Sequence, residues 1–358
     1  MNKDIIFYAP LGKSLPPDKI GGMEQGCRKT IKILQEAGFD VIPVEKPVKS
    51  RSVATYLIQI LTAWMKLLYS FISYRKAVLH VSGCYRGLAY VEWLFIASAK
   101  FFKHKAVYEI RNGGMIQEYE RRGKLYKHTM LSLLKQSDSI LCQGIDYMHF
   151  IKEKLGKPSL YYPNYIQDRF LKGYPQRART QCRLVYFGRI VSAKNIDVMV
   201  DTCRILHERE LSVTLDLIGG CSDSYKAELK DEIRKSGISD DSIRFWGRKE
   251  FEDFSSYLKT CHFFLFPSNE PREGHSNSLT EAMGCGIVPI VSDAGFNRQV
   301  VNDDKLIISH MDATAYADAI YGIWENGEWE SYSRKMYSRV AANFTESCVR
   351  RTLLKAYQ

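Results

Sequence analysis

Between Asn269 and Asp293 the chain reads NEPREGHSNSLTEAMGCGIVPIVSD, and the chemistry-bearing residues are concentrated there. Glu273 and Glu281, with seven residues between them, bracket a polar loop holding Gly274, His275, Ser276 and Asn277. The periodicity predicts a short helix over Ser278–Cys285, stopped by Gly286, and a buried strand over Ile287–Val291. A loop that opens a helix presents unpaired N–H groups and the positive end of the helix dipole, which suits an anion. Carboxylates instead accept hydrogen bonds from sugar hydroxyls. Phosphate donors beside hydroxyl acceptors point to a nucleotide-sugar. The same residues have a plainer reading: Ser278-Leu279-Thr280-Glu281 fits a capping box that would turn Glu281 back on its own helix, and Glu273 could be a solvated loop carboxylate.

A second group lies upstream in RLVYFGRIVSAKNIDVMVDTCRIL, which starts at Arg183. Gly188 ends a predicted strand, Arg189 and Lys194 bracket the loop, and Ser192 can cap a helix running to about His207. Lys194 then falls in the first helical turn, where a cation opposes the macrodipole. That placement predicts an anion beside it; the alternative is a solvated surface lysine. Asp303-Asp304 is not a D-x-D motif, and no His, Cys or carboxylate cluster has metal spacing. Neither a metal nor a cofactor is therefore expected. The eight histidines are scattered, and only His275 sits inside a candidate site.

The run from Glu273 through Glu281-Ala-Met-Gly-Cys-Gly-Ile-Val-Pro-Ile-Val-Ser-Asp293 resembles the E-x7-E signature of the family 4 retaining glycosyltransferases, the glycosyl transferases group 1. The resemblance is specific over Leu184–Val301 and general over the first half. It implies the GT-B fold: α/β, with two Rossmann-like doubly wound domains facing each other across a cleft. It implies that Gly188, Arg189 and Lys194 clamp the nucleotide diphosphate, that Glu273 orients the sugar, and that Glu281 holds the ribose hydroxyls. Further donor contacts are implied at Gly274, His275, Ser276, Asn277, Ser278 and Leu279, and at Arg248 and Lys249 for the base. Gly22, in the first glycine pair, would lie near the donor phosphate and sugar. Where the family usually has a histidine contacting the sugar, this chain has Arg111-Asn112, and either could take that role; Asn112 is carried as the candidate. The implied reaction is metal-independent transfer, with retention, from a UDP- or GDP-sugar to a glycan or lipid-linked glycan.

The positioning elements follow from strands alternating with helices. Asp4–Ala9 reads as a first buried strand, followed by a loop with three prolines that ends in Gly21-Gly22. Met23–Ala37 reads as a helix and Phe39–Val44 as the next strand. Ala77–Val81, Lys105–Ile110 and Ser139–Cys142 continue the sheet. Pro163-Asn164 opens a polar linker. The domains expected are 1–165 for the acceptor and 166–340 for the nucleotide-sugar, with 341–358 packing back on the first.

The 358 residues suffice for two domains. Nine scattered cysteines without a C-x-x-C pair indicate a reducing compartment, and the N-terminus shows no signal peptide. Residues 1–165 carry 25 Lys+Arg against 13 Asp+Glu, a net of +12, while residues 166–358 carry 26 against 27, a net of −1. A basic half could face nucleic acid, an anionic membrane or an anionic substrate. Val53–Ser73 is long and apolar enough to span a bilayer. It reads better as a helix that is partly core and partly surface. Lys66, Arg75 and Lys76 beside Trp64, Tyr69 and Phe71 suit an interface, and the expected location is cytoplasmic, peripheral on the inner membrane face. Three rivals stand beside the transferase. A nucleotide-sugar epimerase would share the fold. A dinucleotide oxidoreductase would need a glycine fingerprint that the first βα turn lacks. A nucleic-acid binder would explain the basic half, but no binding motif is visible.

Overall fold

Short apolar runs ending in glycine or a polar turn become parallel strands. β1 (Asp4–Ala9), β2 (Asp40–Glu45), β3 (Val78–Gly83), β4 (Lys105–Ile110), β5 (Ser139–Cys142) and β6 (Leu160–Tyr161) form one six-stranded sheet in the order β2-β1-β3-β4-β5-β6. β7 (Cys182–Phe187), β8 (Val213–Ile218), β9 (Ile243–Gly247), β10 (Phe263–Phe266), β11 (Val288–Ser292) and β12 (Ile307–Ile308) form a second, in the order β12-β11-β10-β7-β8-β9. The computed structural model describes residues 4–13, 15, 21–48, 52–239, 241–270 and 272–358. Pro16 and Pro17 of the first loop and Pro271 of the signature stretch lie outside the described residues.

Every pairing in both sheets is parallel; Ile5, for example, lies opposite Val41 on one side and Val78 on the other. Central parallel strands are covered on both faces, so they need continuous apolar sequence. Ile5–Ala9 and Phe263–Leu265 are fully buried accordingly. Each such side chain contributes about 1.5–3 kcal/mol of transfer free energy.

The crossovers of the first half are α1 (Gly22–Glu36), α2 (Val53–Ser73), α3 (Ala89–Phe101), α4 (Met115–Arg121), α5 (Lys124–Gln136) and α6 (Ile145–Leu155). The second half adds α7 (Ile196–Glu208), α8 (Asp223–Lys235), α9 (Phe251–Leu258), α10 (Asn277–Gly284), α11 (Asn297–Val301), α12 (Ala313–Glu325), α13 (Trp329–Asn343) and α14 (Glu346–Lys355).

The chain divides into two compact units, 1–163 with 349–358, and 164–348. The return to the first unit comes at Val349, inside α14, and not at residue 341. α13 belongs to the second unit because Gly284 of α10 lets Val340 and Ile166 pack closely there, within 3.4 and 2.9 Å of where a β-carbon would stand. The backbone of Ile166 also bridges Phe344 and Glu346 through two 3.0 Å hydrogen bonds. Past Val349, Tyr357 hydroxyl lies 2.5 Å from His80 Nδ1 in the first unit.

α2 is one helix of 21 residues, capped by Ser52. It buries Ala63, Leu67, Ser70 and Phe71. Of the three aromatics expected at an interface, only Tyr69 is exposed; Phe71 is in the core and Trp64 is half-buried, its indole bonded to Ser98 Oγ at 3.2 Å. The helical period puts Phe71 on the core side with Leu67.

Candidate functional site

In the second sheet β7 is followed by β8 on one side, whereas β10 and β11 lie on the other. The loops leaving β7 and β10 therefore diverge, and this switch point is where open α/β sheets bind ligands. Gly188 leaves β7 at φ +146°, and a β-carbon on Gly219 would stand 1.7 Å from the Gly188 carbonyl oxygen. Gly219 N–H in turn donates to the Gly247 carbonyl at 2.9 Å. The turns after β7, β8 and β9 are thus laced together, and a side chain at Gly219 would part them.

Arg189 is exposed and makes no ion pair among the described residues, and its carbonyl accepts from Tyr186 hydroxyl at 2.8 Å. Lys194 departs from the sequence expectation. Ser192–Lys194 form a separate 3-10 turn, Asn195 takes a left-handed conformation at φ 48°, and α7 begins only at Ile196. Lys194 therefore precedes the helix, and Ser192 does not cap it. Asn195 Nδ2 donates to the Pro267 carbonyl at 2.8 Å, which ties this turn to the loop after β10.

The predicted anion beside Lys194 is a carboxylate of the chain itself. Lys194 Nζ is buried, ion-paired to Glu273, 3.0 Å from Ser268 Oγ and 5.0 Å from the Phe266 ring centroid. Ser268 Oγ donates to Glu273 Oε2 at 2.6 Å. Glu273 is not a solvated loop carboxylate. Ser268 was missed in the sequence; its signal is a small hydroxyl directly after a buried strand at the switch point. The loop is braced from behind, where Ser292 Oγ donates to the Ser268 carbonyl at 2.7 Å and Asn297 Nδ2 to the Ser292 carbonyl at 3.1 Å. Gly295 sits at φ +56°, and a β-carbon there would lie 2.0 Å from the Glu273 carbonyl oxygen.

The capping box at Ser278 does not form. α10 starts at Asn277, its cap is Ser276, and Ser276 Oγ accepts from Leu279 N at 3.4 Å. Glu281, half-buried in the second turn, is not a cap. The N–H groups of Asn277 and Ser278 have no acceptor within the helix. Gly274 leads into this start, while the Leu279 side chain is fully buried and serves the core.

His275 also faces inward. Its Nε2 lies 2.6 Å from Thr280 Oγ1, its ring packs edge-on against Phe344 at 5.0 Å, and its carbonyl accepts from Asn164 Nδ2 at 2.5 Å. Burial, with the Arg339 charge nearby, pushes its pKa down to about 3, so the ring is neutral. Its side chain shapes the loop, and only its backbone borders the helix start.

Arg248 and Lys249 follow Gly247 and are exposed, with Arg248 reaching Glu250 at 3.9 Å. In the first unit the switch point lies between β1 and β3. Gly22 opens α1 there and is exposed, and the preceding Gly21 N–H donates to Glu24 Oε2 at 2.9 Å. Past β4, Arg111 and Asn112 differ in burial and in partners. Arg111 is buried, 2.8 Å from Glu109 Oε1 and 2.6 Å from Thr30 Oγ1. Its guanidinium occupies the space a side chain at Gly26 would need. Asn112 is half-buried and bonds through its carbonyl to Tyr147 hydroxyl at 2.6 Å. Among the described residues no three His, Cys, Asp or Glu side chains are grouped to hold a metal ion.

Comparison with known proteins follows the same residues. A family model described as glycosyl transferases group 1 matches residues 181–326. The GtfA subunit of a UDP-N-acetylglucosamine–peptide N-acetylglucosaminyltransferase from Streptococcus gordonii is 26% identical over 186 residues, 49% of this chain and 35% of that protein. The amylovoran biosynthesis glycosyltransferase AmsK of Erwinia amylovora is 31% identical over 114 residues, 31% of this chain and 27% of that protein. The matched stretches thus span about a third of these relatives' length. Anabaena HepE, solved in complex with UDP, superposes with a TM-score of 0.74 at 13% identity, covering 99% of both chains; that likeness concerns the fold. With two parallel six-stranded α/β sheets the chain has a fold of the GT-B type, and its residues 181–326 are similar to the glycosyl transferases group 1.

Proposed function

We propose that the protein is a glycosyltransferase that moves a hexose from a nucleotide-diphosphate sugar to a glycan or lipid-linked glycan, with retention of configuration and without a metal. The observation that carries the reading is the convergence of Lys194, Ser268 and Glu273 at the switch between β7 and β10, beside the N-terminus of α10. As the bond from the sugar to the diphosphate breaks, negative charge builds on the leaving phosphate. Arg189, Lys194 and the N–H groups of Asn277 and Ser278 would meet that charge, the term that dominates such reactions. Glu273 would orient the sugar and Glu281 the ribose, with Arg248 and Lys249 at the base, and Asn112 is the candidate for the remaining sugar contact.

A UDP-sugar is the favoured donor. The Streptococcus relative is named for UDP-N-acetylglucosamine, and HepE was solved with UDP and with UDP-glucose. The AmsK name, which refers to amylovoran biosynthesis, supports a polysaccharide acceptor, and a lipid-linked acceptor met at the inner membrane face is part of this proposal. No observation favours the epimerase or the nucleic-acid reading.

A donor panel tests the proposal. Thermal shift and nucleotide release are measured with UDP-, GDP- and ADP-sugars, with and without glycan acceptors, before and after EDTA. Stabilisation by UDP and acceptor-dependent transfer that survives EDTA are expected. Release of free sugar without acceptor would point to the epimerase, and a strict Mg²⁺ or Mn²⁺ requirement would remove the metal-free mechanism.

A further inference from the structure

Helix α2 carries an apolar face that its own unit does not cover. Leu57, Ile58, Leu61, Met65, Tyr69 and Ile72 are each more than half exposed, Tyr69 at 73% and Ile72 at 66%. At 100° per residue these six fall within about a third of the helix circumference. A stripe this long is not the scattered exposure ordinary on a monomer. It extends onto α3, where Leu94 and Phe101, the latter 81% exposed, flank Ser98, the residue bonded to the Trp64 indole.

Charge around the stripe has one sign. Residues 46–91 contain seven Lys+Arg and no Asp or Glu; Lys46 is buried in an ion pair with Glu92 and adds nothing to the surface charge. Lys66, Arg75 and Lys76 are exposed, and Lys66 borders the apolar arc, where its long stem can lie along the apolar surface with the ammonium at the polar level.

We propose that this face of α2, continued by Leu94 and Phe101, seats the protein on an anionic bilayer leaflet as an in-plane helix. Length and composition would allow α2 to cross a membrane, but its other side is committed. Ala63, Leu67, Ser70 and Phe71 are buried in the unit, the Phe71 carbonyl lies 3.1 Å from His104 Nε2, and Gln59 Oε1 accepts from Val48 N at 3.0 Å. A spanning helix would lose those contacts. A helix lying in the interface keeps them, buries the stripe in the acyl boundary and leaves the basic rim among anionic headgroups. Uniform basic charge beside the apolar face favours that surface over a second copy of this chain, whose matching face would bring like charges together. The inference deepens the proposed function, because a lipid-linked acceptor would be met at such a surface, and to that extent it rests on that reading.

The test is co-sedimentation of the full chain with phosphatidylcholine vesicles, with and without phosphatidylglycerol, at low and high salt. Binding should require phosphatidylglycerol and weaken at high salt. Leu61→Glu with Met65→Glu, and separately Lys66→Glu with Arg75→Glu and Lys76→Glu, should each reduce the bound fraction at least tenfold, while Lys230→Glu on the second unit should not. All these positions are exposed, so folding should survive, and stabilisation by UDP in each variant checks it. Equal binding to neutral vesicles, no binding to either, or a concentration-dependent dimer abolished by the apolar pair without vesicle binding would each overturn the proposal. Intact stabilisation by UDP in a protein that ignores vesicles would sink the membrane face alone and leave the donor reading standing.

Discussion

Lys194 and Glu273 lie 79 positions apart in sequence and form a buried ion pair, with Ser268 Oγ hydrogen-bonded to both. The pair joins the loops after β7 and β10, so the cation proposed for the diphosphate and the carboxylate proposed for the sugar hold each other. Removing one charge strands the other in a poorly solvated place, and the mutational consequences follow from that.

Arg189→Ala should lower transfer about 10²–10³-fold, the usual cost of one transition-state donor, with an unchanged melting temperature because the side chain is exposed and makes no ion pair among the described residues. Lys194→Ala should show a similar loss together with a stability cost of up to about 3 kcal/mol, from the unpaired Glu273. The double variant Lys194→Ala/Glu273→Gln should regain stability and not activity. Calorimetry beside turnover checks this; near wild-type transfer in both single variants would remove the clamp.

The two signature glutamates should separate. Glu281→Gln is expected to weaken UDP affinity at nearly constant melting temperature, since Ser276 and not Glu281 caps α10. Glu273→Gln should mainly reduce turnover. Ser276→Ala should cost about 0.5–2 kcal/mol, the ordinary value of a lost cap. Binding titration and thermal melts on the three variants decide it, and a Glu281→Gln melt lowered as far as that of Ser276→Ala would restore the capping role.

Gly295→Ala addresses the brace behind Glu273. The new methyl would collide with the Glu273 carbonyl, and φ +56° disfavours any side chain. A loss of about 1–3 kcal/mol is expected, with a raised KM for the donor as the loop shifts. A variant as stable and as active as the parent would show that the loop is not held from there.

His275 makes stability depend on pH. Its folded pKa is pushed down to about 3 by burial, below the ordinary histidine value near 6.5. The unfolded chain takes up that proton first, so the stabilisation is complete above about pH 6.5 and is lost as pH falls towards 3, with a slope of at most about 1.4 kcal/mol per pH unit. His275→Gln should flatten the melting curve by up to one proton in that window. His262, held at about 4 by burial, contributes a second slope that remains. An unaltered pH dependence would mean that His275 is protonated in the folded state.

Much of this molecule was written in local sequence. Apolar runs such as Ile5–Ala9 and Phe263–Phe266 can only be covered strands, because nothing polar alternates within them. Gly286 stops α10 as expected, at φ +71°. The E-x7-E run located the second unit's loop and helix because the backbone there needs particular residues at particular offsets. Tertiary structure decided what those side chains face. Ser278 and Ser276 are equally good caps by type; which one serves depends on where the chain enters the helix, and Asn164 bonding the His275 carbonyl helps set that entry. The partner of Lys194 lies on another strand's loop, so no local pattern could show that the anion was Glu273. Arg111 and Asn112 are neighbours of comparable hydrogen-bonding capacity, and only the buried Glu109 and Thr30 beside the guanidinium commit Arg111 to the core. Trp64, Tyr69 and Phe71 belong to one apolar helix, and sequence distinguishes its two sides only once another element covers one of them. Local sequence determines conformation where backbone sterics and burial act over a few residues; contacts between distant loops are settled when the sheet order brings them together.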